Sequence, residues 1–143
     1  IDFNKAVWTI PAERMKMRRE HRKPLPPAAL HILLDLRGTS GPEDYVLPAV
    51  TDPERPMSEN TMNAALERLG FPGERMTPHG FRATASTLLN ESGRWNPDAI
   101  EAELAHVDTR AVRAIYNRAH YWVERVEMIQ WWAAEVLRHT NAS

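Results

Sequence analysis

Thr77–Leu89 reads TPHGFRATASTLL. A threonine followed at once by a proline is a helix start. The hydroxyl can take one unsatisfied first-turn amide, and proline fits the first helical position because it has no N–H to leave unpaired. The helix opened here is expected to reach about Glu91, with Gly93 as its stop. The same start signal recurs at Asn96-Pro97, for a short helix through about Leu104. Asp108 or Thr109 opens the next, through roughly Arg118, and a last helix is expected from about Tyr121 to Arg138. That helix carries Val126, Ile129, Ala133, Val136 and Leu137 on an apolar stripe at helical spacing. Upstream, Ser58 can cap a helix through Leu69 with Met62, Ala65, Leu66 and Leu69 inward, ended by Gly70.

Nearer the start the pattern changes. Val7–Ile10 mixes β-branched and aromatic residues and stops at Pro11, as a short strand does. His21–Leu25 reads as the return strand, which puts Met15–Glu20 at or near a hairpin tip. Pro26–Arg37 reads as a helix with Leu30, Leu33 and Leu34 on one face and Gly38 as its stop. Gly38–Asp44 is turn-rich, Tyr45–Leu47 is a brief apolar run fit for a third strand, and Thr51–Pro56 reads as a polar loop. The expected architecture is mainly α with a small antiparallel β-sheet near the N-terminus, in one domain over residues 1–143.

The chain has 143 residues, 43% of them hydrophobic and 26% charged, as in a soluble globular protein. At this length roughly 68–70% of the unfolded surface can be hidden, enough for a core without disulfides. The absence of cysteine removes disulfides, zinc–thiolate sites and cysteine nucleophiles together. No apolar run approaches the roughly 18 residues of a membrane span, and a cytoplasmic location is expected. The formal charge is −1, but its distribution is uneven. Arg14, Lys16, Arg18, Arg19, Arg22 and Lys23 face a single acid, Glu20, in one short stretch. Such a stretch suits a basic face meeting phosphates, and equally a solvated hairpin.

Four further residues could carry chemistry. His79 and Arg82 are three apart, so they project from one helix face, while Phe81 is expected to turn toward the core. They fall in a first turn, where the helix dipole and free amides favour an anion. The same His-x-x-Arg also reads as two ordinary polar helix residues. His106 ends a helix and reads alone as a cap, and Tyr116 reads alone as a core aromatic with a satisfied hydroxyl. Paired histidines at metal-ligand spacing are not found in the sequence, which argues against a metal-dependent nuclease.

Taken in order, these residues resemble the catalytic domain of the tyrosine recombinases, the phage-integrase family, and most of all the integrases of prophages and genomic islands. The resemblance rests on Trp8–Pro11 (WTIP), Glu13–Arg19 (ERMKMRR), Pro24-Leu25, Thr77–Leu89, Leu104–His106 (LAH), Ile115–Arg118 (IYNR) and the tail around Trp131-Trp132. It implies a tyrosine-recombinase catalytic-domain fold and cleavage and religation of DNA through a 3′-phosphotyrosine, with neither metal nor cofactor. By the same resemblance Tyr116 is the nucleophile, rather than Tyr121, and Lys16 the general acid. Arg82 and His106 hold the phosphate and His79 assists proton movement. Arg14, Arg18 and Arg19 are placed against the DNA backbone; Lys5 and Lys23 touch the backbone or only solvent. The implied partners are double-stranded DNA at attachment sites, further copies of the chain in a tetramer, and accessory DNA-bending proteins. The terminal helix with Trp122, Trp131 and Trp132 either packs on its own core or docks on a neighbouring copy.

The family's second clamp arginine lies in a helical segment upstream of the first strands. No residue before Val7 is an arginine, and Arg14 lies in the hairpin. The chain also opens at Ile1 without methionine, so it is read as an N-terminally truncated catalytic domain, inactive alone, with apolar surface left exposed and a non-native dimer as one consequence. The alternative from another class is a non-catalytic helical DNA-binding or assembly module that keeps the fold.

Overall fold

The computed structural model describes residues 1–16, 18–39, 45–105 and 121–140. Strand β1 (Val7–Ile10) and strand β2 (His21–Pro24) form an antiparallel hairpin, with Val7 opposite Pro24 and Ile10 opposite His21. Helix α1 is Pro27–Thr39; strands β3 (Pro48–Ala49) and β4 (Asp52–Pro56) form a second antiparallel pair. Helices α2 (Glu59–Arg68), α3 (Pro78–Glu91), α4 (Pro97–Glu103) and α5 (Trp122–Thr140) complete the described elements. The helix expected between Asp108 and Arg118 lies outside the described residues.

The contacts divide the chain into two compact units, Ile1–Leu30 with Ser86–Ser143 and His31–Ala85, and the division falls within α1 and within α3. The first unit holds the core. Leu89, Ile100, Leu104 and Met128 are buried against one another, with Trp95, Trp131 and Trp132 packed around them. Each such aliphatic side chain contributes about 1.5–3 kcal/mol by leaving water. The Trp95 and Trp131 rings lie 6.0 Å apart and tilted by 57°, within the range of favourable aromatic pairs. The terminal helix therefore packs on the core of its own chain.

Helix α4 is short and held at its start by side chains. Asn96 Oδ1 accepts the Asp98 amide at 2.9 Å, and the Asn96 amide donates to Glu124 Oε1 at 2.7 Å. Asn96 Nδ2 also reaches the Tyr121 hydroxyl at 3.4 Å. The cap expected from Asn96-Pro97 is thus present, and it doubles as a tie to α5.

Several expectations need correction. Tyr45–Leu47 is not a strand; β3 begins at Pro48, and the stretch expected as a polar loop supplies its partner β4. Pairing there draws on backbone groups, and the alternation of apolar residues that marks a strand is missing from it. Gly38 does not stop α1, which includes it. Ser58 stands at the α2 N-cap, but its hydroxyl meets Thr61 Oγ1 at 3.1 Å and not a backbone amide. Of the α2 residues expected inward, Leu69 is 72% exposed and Met62 is exposed too. Ala65 is exposed as well, while Leu66 is half-buried, as is Ala64, which the pattern did not select. In α5 the buried positions are Arg125 and Met128; of the expected stripe Val126, Ile129 and Ala133 are half-buried, while Val136 and Leu137 are exposed. A stripe of apolar residues alone omits the buried arginine, which rotates the true face.

Candidate functional site

In the second unit, His79 and Arg82 lie in the opening turns of α3, as their spacing predicts. Thr77 caps the helix: its Oγ1 accepts the Gly80 amide at 3.1 Å. A Cβ at Gly80 would stand 3.1 Å from Met76 Sδ, so glycine lets Met76 fold over the helix start. Pro78 brings no N–H and Thr77 takes that of Gly80, which thins the ring of amides a helix start usually offers an anion. The imidazole and the guanidinium are the side-chain donors carried by this turn. His79 is exposed and Arg82 half-buried. Phe81 does not turn to the core; it is 55% exposed.

In the first unit, the connection between β1 and β2 is a basic loop. Ala12–Arg14 forms a single 3-10 turn, and the Arg18 amide donates to the Met15 carbonyl at 2.9 Å. Arg18 has a φ of +48°, a left-handed conformation that costs a residue with a Cβ roughly 1–2 kcal/mol. Arg14, Lys16, Arg18 and Arg19 are all exposed on this loop. Four cations held at the end of a two-stranded ribbon form a surface suited to phosphates.

Lys5 and Lys23 part company. Lys5 lies at the surface in an ion pair with Asp2 at 3.0 Å. The Lys5 backbone amide, donating to Asp2 Oδ1, holds that carboxyl below its ordinary range, and the Arg138 guanidinium does the same for Glu135. Lys23 is not a solvent or backbone-contact lysine. It turns inward, with its ammonium 2.9 Å from Glu103 Oε1 and 3.0 Å from the Glu103 carbonyl oxygen.

Glu103 is the centre of a buried ionic cluster that the sequence reading missed. It is 1% exposed, and Arg125, 2% exposed, donates to its Oε2 through Nε at 2.9 Å and holds a terminal nitrogen 2.8 Å from the same oxygen as an ion pair. The contact of Lys23 with Oε1 is ionic and too oblique for a directed hydrogen bond; its directed bond goes to the carbonyl. His21 Nε2 lies 3.3 Å from the same carbonyl, and Arg125 also donates to the Arg22 carbonyl. Two guanidiniums approach the Trp122 ring, Arg22 at 5.0 Å and Arg125 at 5.3 Å from its centroid. A signal was available: Glu103 lies three residues after Ile100 and Arg125 three before Met128, each a charge on an apolar face.

Immediately past α4, Ala105 has a φ of +52°, a position where helices usually place glycine. His106 and Tyr116, the other two candidates, lie outside the described residues. The structure thus describes three of the five candidate residues: His79 and Arg82 together in one unit, and Lys16 in the other.

The model of the phage integrase family matches residues 1–122. The chain is 50% identical over 133 residues to the prophage integrase IntA of Escherichia coli strain K12, covering 93% of this chain and 32% of that protein. It is 40% identical over 146 residues to the integrase of Enterobacteria phage P4, covering 92% and 33% of the two. The integrase of Shigella phage Sf6 is 37% identical over 134 residues, covering 93% and 34%. The chain spans about a third of the length of these curated relatives. No solved structure matches it significantly.

Proposed function

Since the chain belongs to the phage integrase family, we propose that it acts in site-specific recombination of mobile DNA, as the part that cuts and rejoins strands. The Tyr116 phenolic oxygen attacks the scissile phosphorus as its proton passes to His79, and the bond from phosphorus to the 5′-oxygen breaks. The 3′ end is left esterified to tyrosine, and the departing 5′-oxygen takes a proton from Lys16. Reversal of the same step by a second 5′-hydroxyl rejoins DNA, because the phosphodiester energy is kept in the phosphotyrosine.

The chemistry explains the need for the other residues. The transition state gathers negative charge on the phosphate oxygens, and a fixed cationic donor aimed there is commonly worth about 10²–10³ in rate. Arg82 and His106 are assigned that role, with His79 assisting proton movement beside Arg82. A phenol with an ordinary pKa near 10 needs such neighbours to attack at neutral pH. A proton donor for the leaving alkoxide is worth roughly 10²–10⁴. Arg14, Arg18 and Arg19 lie along the DNA backbone and steer the duplex. Replacing any one of them with alanine should flatten the slope of log affinity against log salt by about 0.9.

The observation that carries this reading is the family match over residues 1–122, which spans Lys16, His79, Arg82, His106 and Tyr116. Its test uses the full-length protein and a nicked suicide duplex that traps the covalent adduct. Wild type should accumulate protein-bound DNA and Tyr116→Phe none. Equal trapping by the two would remove Tyr116 from the mechanism, and no trapping by wild type would favour a non-catalytic DNA-binding module.

A further inference from the structure

The β1–β2 hairpin is a two-stranded ribbon, too small to fix its own direction. Its position is set by β2, where three consecutive residues are tied to helices α4 and α5 by polar contacts. His21 and Lys23 both reach the Glu103 carbonyl, Lys23 also meets the Glu103 carboxylate, and the Arg22 carbonyl accepts from Arg125. His21, paired with Ile10, is the first paired residue after the loop, and the loop residue of interest is Lys16. An apolar cluster could hold this ribbon at comparable cost, because a buried ion pair is often no more stabilising than hydrophobic residues of the same volume. Directed polar contacts add something an apolar contact does not, a single register and a single angle for β2.

We propose that Glu103 and Lys23 are positioning residues for Lys16: the Glu103 carboxylate, clamped by Arg125, anchors β2 through Lys23 and so fixes the base of the loop from which Lys16 delivers its proton. This rests on the reading of Lys16 as the proton donor. Glu103 and Lys23 touch neither DNA nor the reacting atoms in this scheme. Their effect reaches the chemistry only as the placement of one ammonium group.

The experiment compares two substrates in the full-length protein. One is a suicide duplex with an ordinary scissile phosphodiester; the other replaces the bridging 5′-oxygen with sulfur, a leaving group that needs no proton. Lys23→Met should slow adduct formation on the ordinary duplex by about 10–100-fold, since misplacing a reacting group by about 1 Å costs of that order. On the sulfur-bridged duplex its rate should stay within about threefold of wild type, and Lys23→Arg should restore most of the loss. Should Lys23→Met not fold, Lys23→Gln reads the same ratio. Equal losses on both substrates, or a loss on neither, overturns the positioning role. Lys16→Ala, measured beside it, separates the two ideas: if that variant loses no more on the ordinary duplex than on the sulfur-bridged one, the reading of Lys16 itself fails.

Discussion

Ile1–Leu30 with the segment from Ser86 onward buries Leu89, Ile100, Leu104 and Met128 around three tryptophans, and hides a carboxylate and a guanidinium beside them. Among the described residues of His31–Ala85, by contrast, none is buried, and Ile32, Leu69, Phe71 and Phe81 stand at the surface. The first unit can fix side chains by its own packing. The second holds its helices by backbone hydrogen bonds, caps and half-buried contacts. Lys16 therefore belongs to a scaffold with an internal anchor, while His79 and Arg82 owe their pairing to the geometry of a single helix.

The largest effect that would sharpen this contrast is at Glu103. Replacing it with alanine leaves the Arg125 guanidinium buried without its carboxylate, and should cost about 3–5 kcal/mol in a urea melt. A loss under about 1 kcal/mol would mean that the cluster anchors nothing. Next comes the cap of α4. Asn96→Ala removes the bond to the Asp98 amide and the link to Tyr121, and should cost about 1 kcal/mol by the same measurement. The smallest effect is expected in the second unit, where Leu69→Ser should shift stability by no more than about 0.5 kcal/mol, as surface substitutions do. A core-sized loss there would break the comparison, because it would require Leu69 to be covered.

Much of this was legible in the residues. Thr77-Pro78 and Asn96-Pro97 marked α3 and α4 because a cap and a proline act locally, whatever the rest of the chain does. The hairpin followed from Val7–Ile10 and the return at His21 for the same reason. Spacing alone put His79 and Arg82 on one turn. The β3–β4 pair was not legible, since Asp52–Pro56 carries two prolines and three charged residues, and its pairing is backbone chemistry. Nor was the inward turn of Lys23. A lysine in a basic run looks solvated, and only its contacts with the Glu103 carboxylate and carbonyl, 80 residues away in sequence, show otherwise. The face of α5 was misread because burial there is shared between Met128 and a charged residue.

The proposed strand transfer requires that the oxygen of Tyr116 become esterified to DNA. It is tested most directly by trapping the adduct in the full-length protein, digesting both components and identifying by mass spectrometry the peptide that retains a nucleotide. That nucleotide is expected on the peptide containing Tyr116. Finding it on the peptide of Tyr121 or Tyr45 instead, or on a serine, would contradict it.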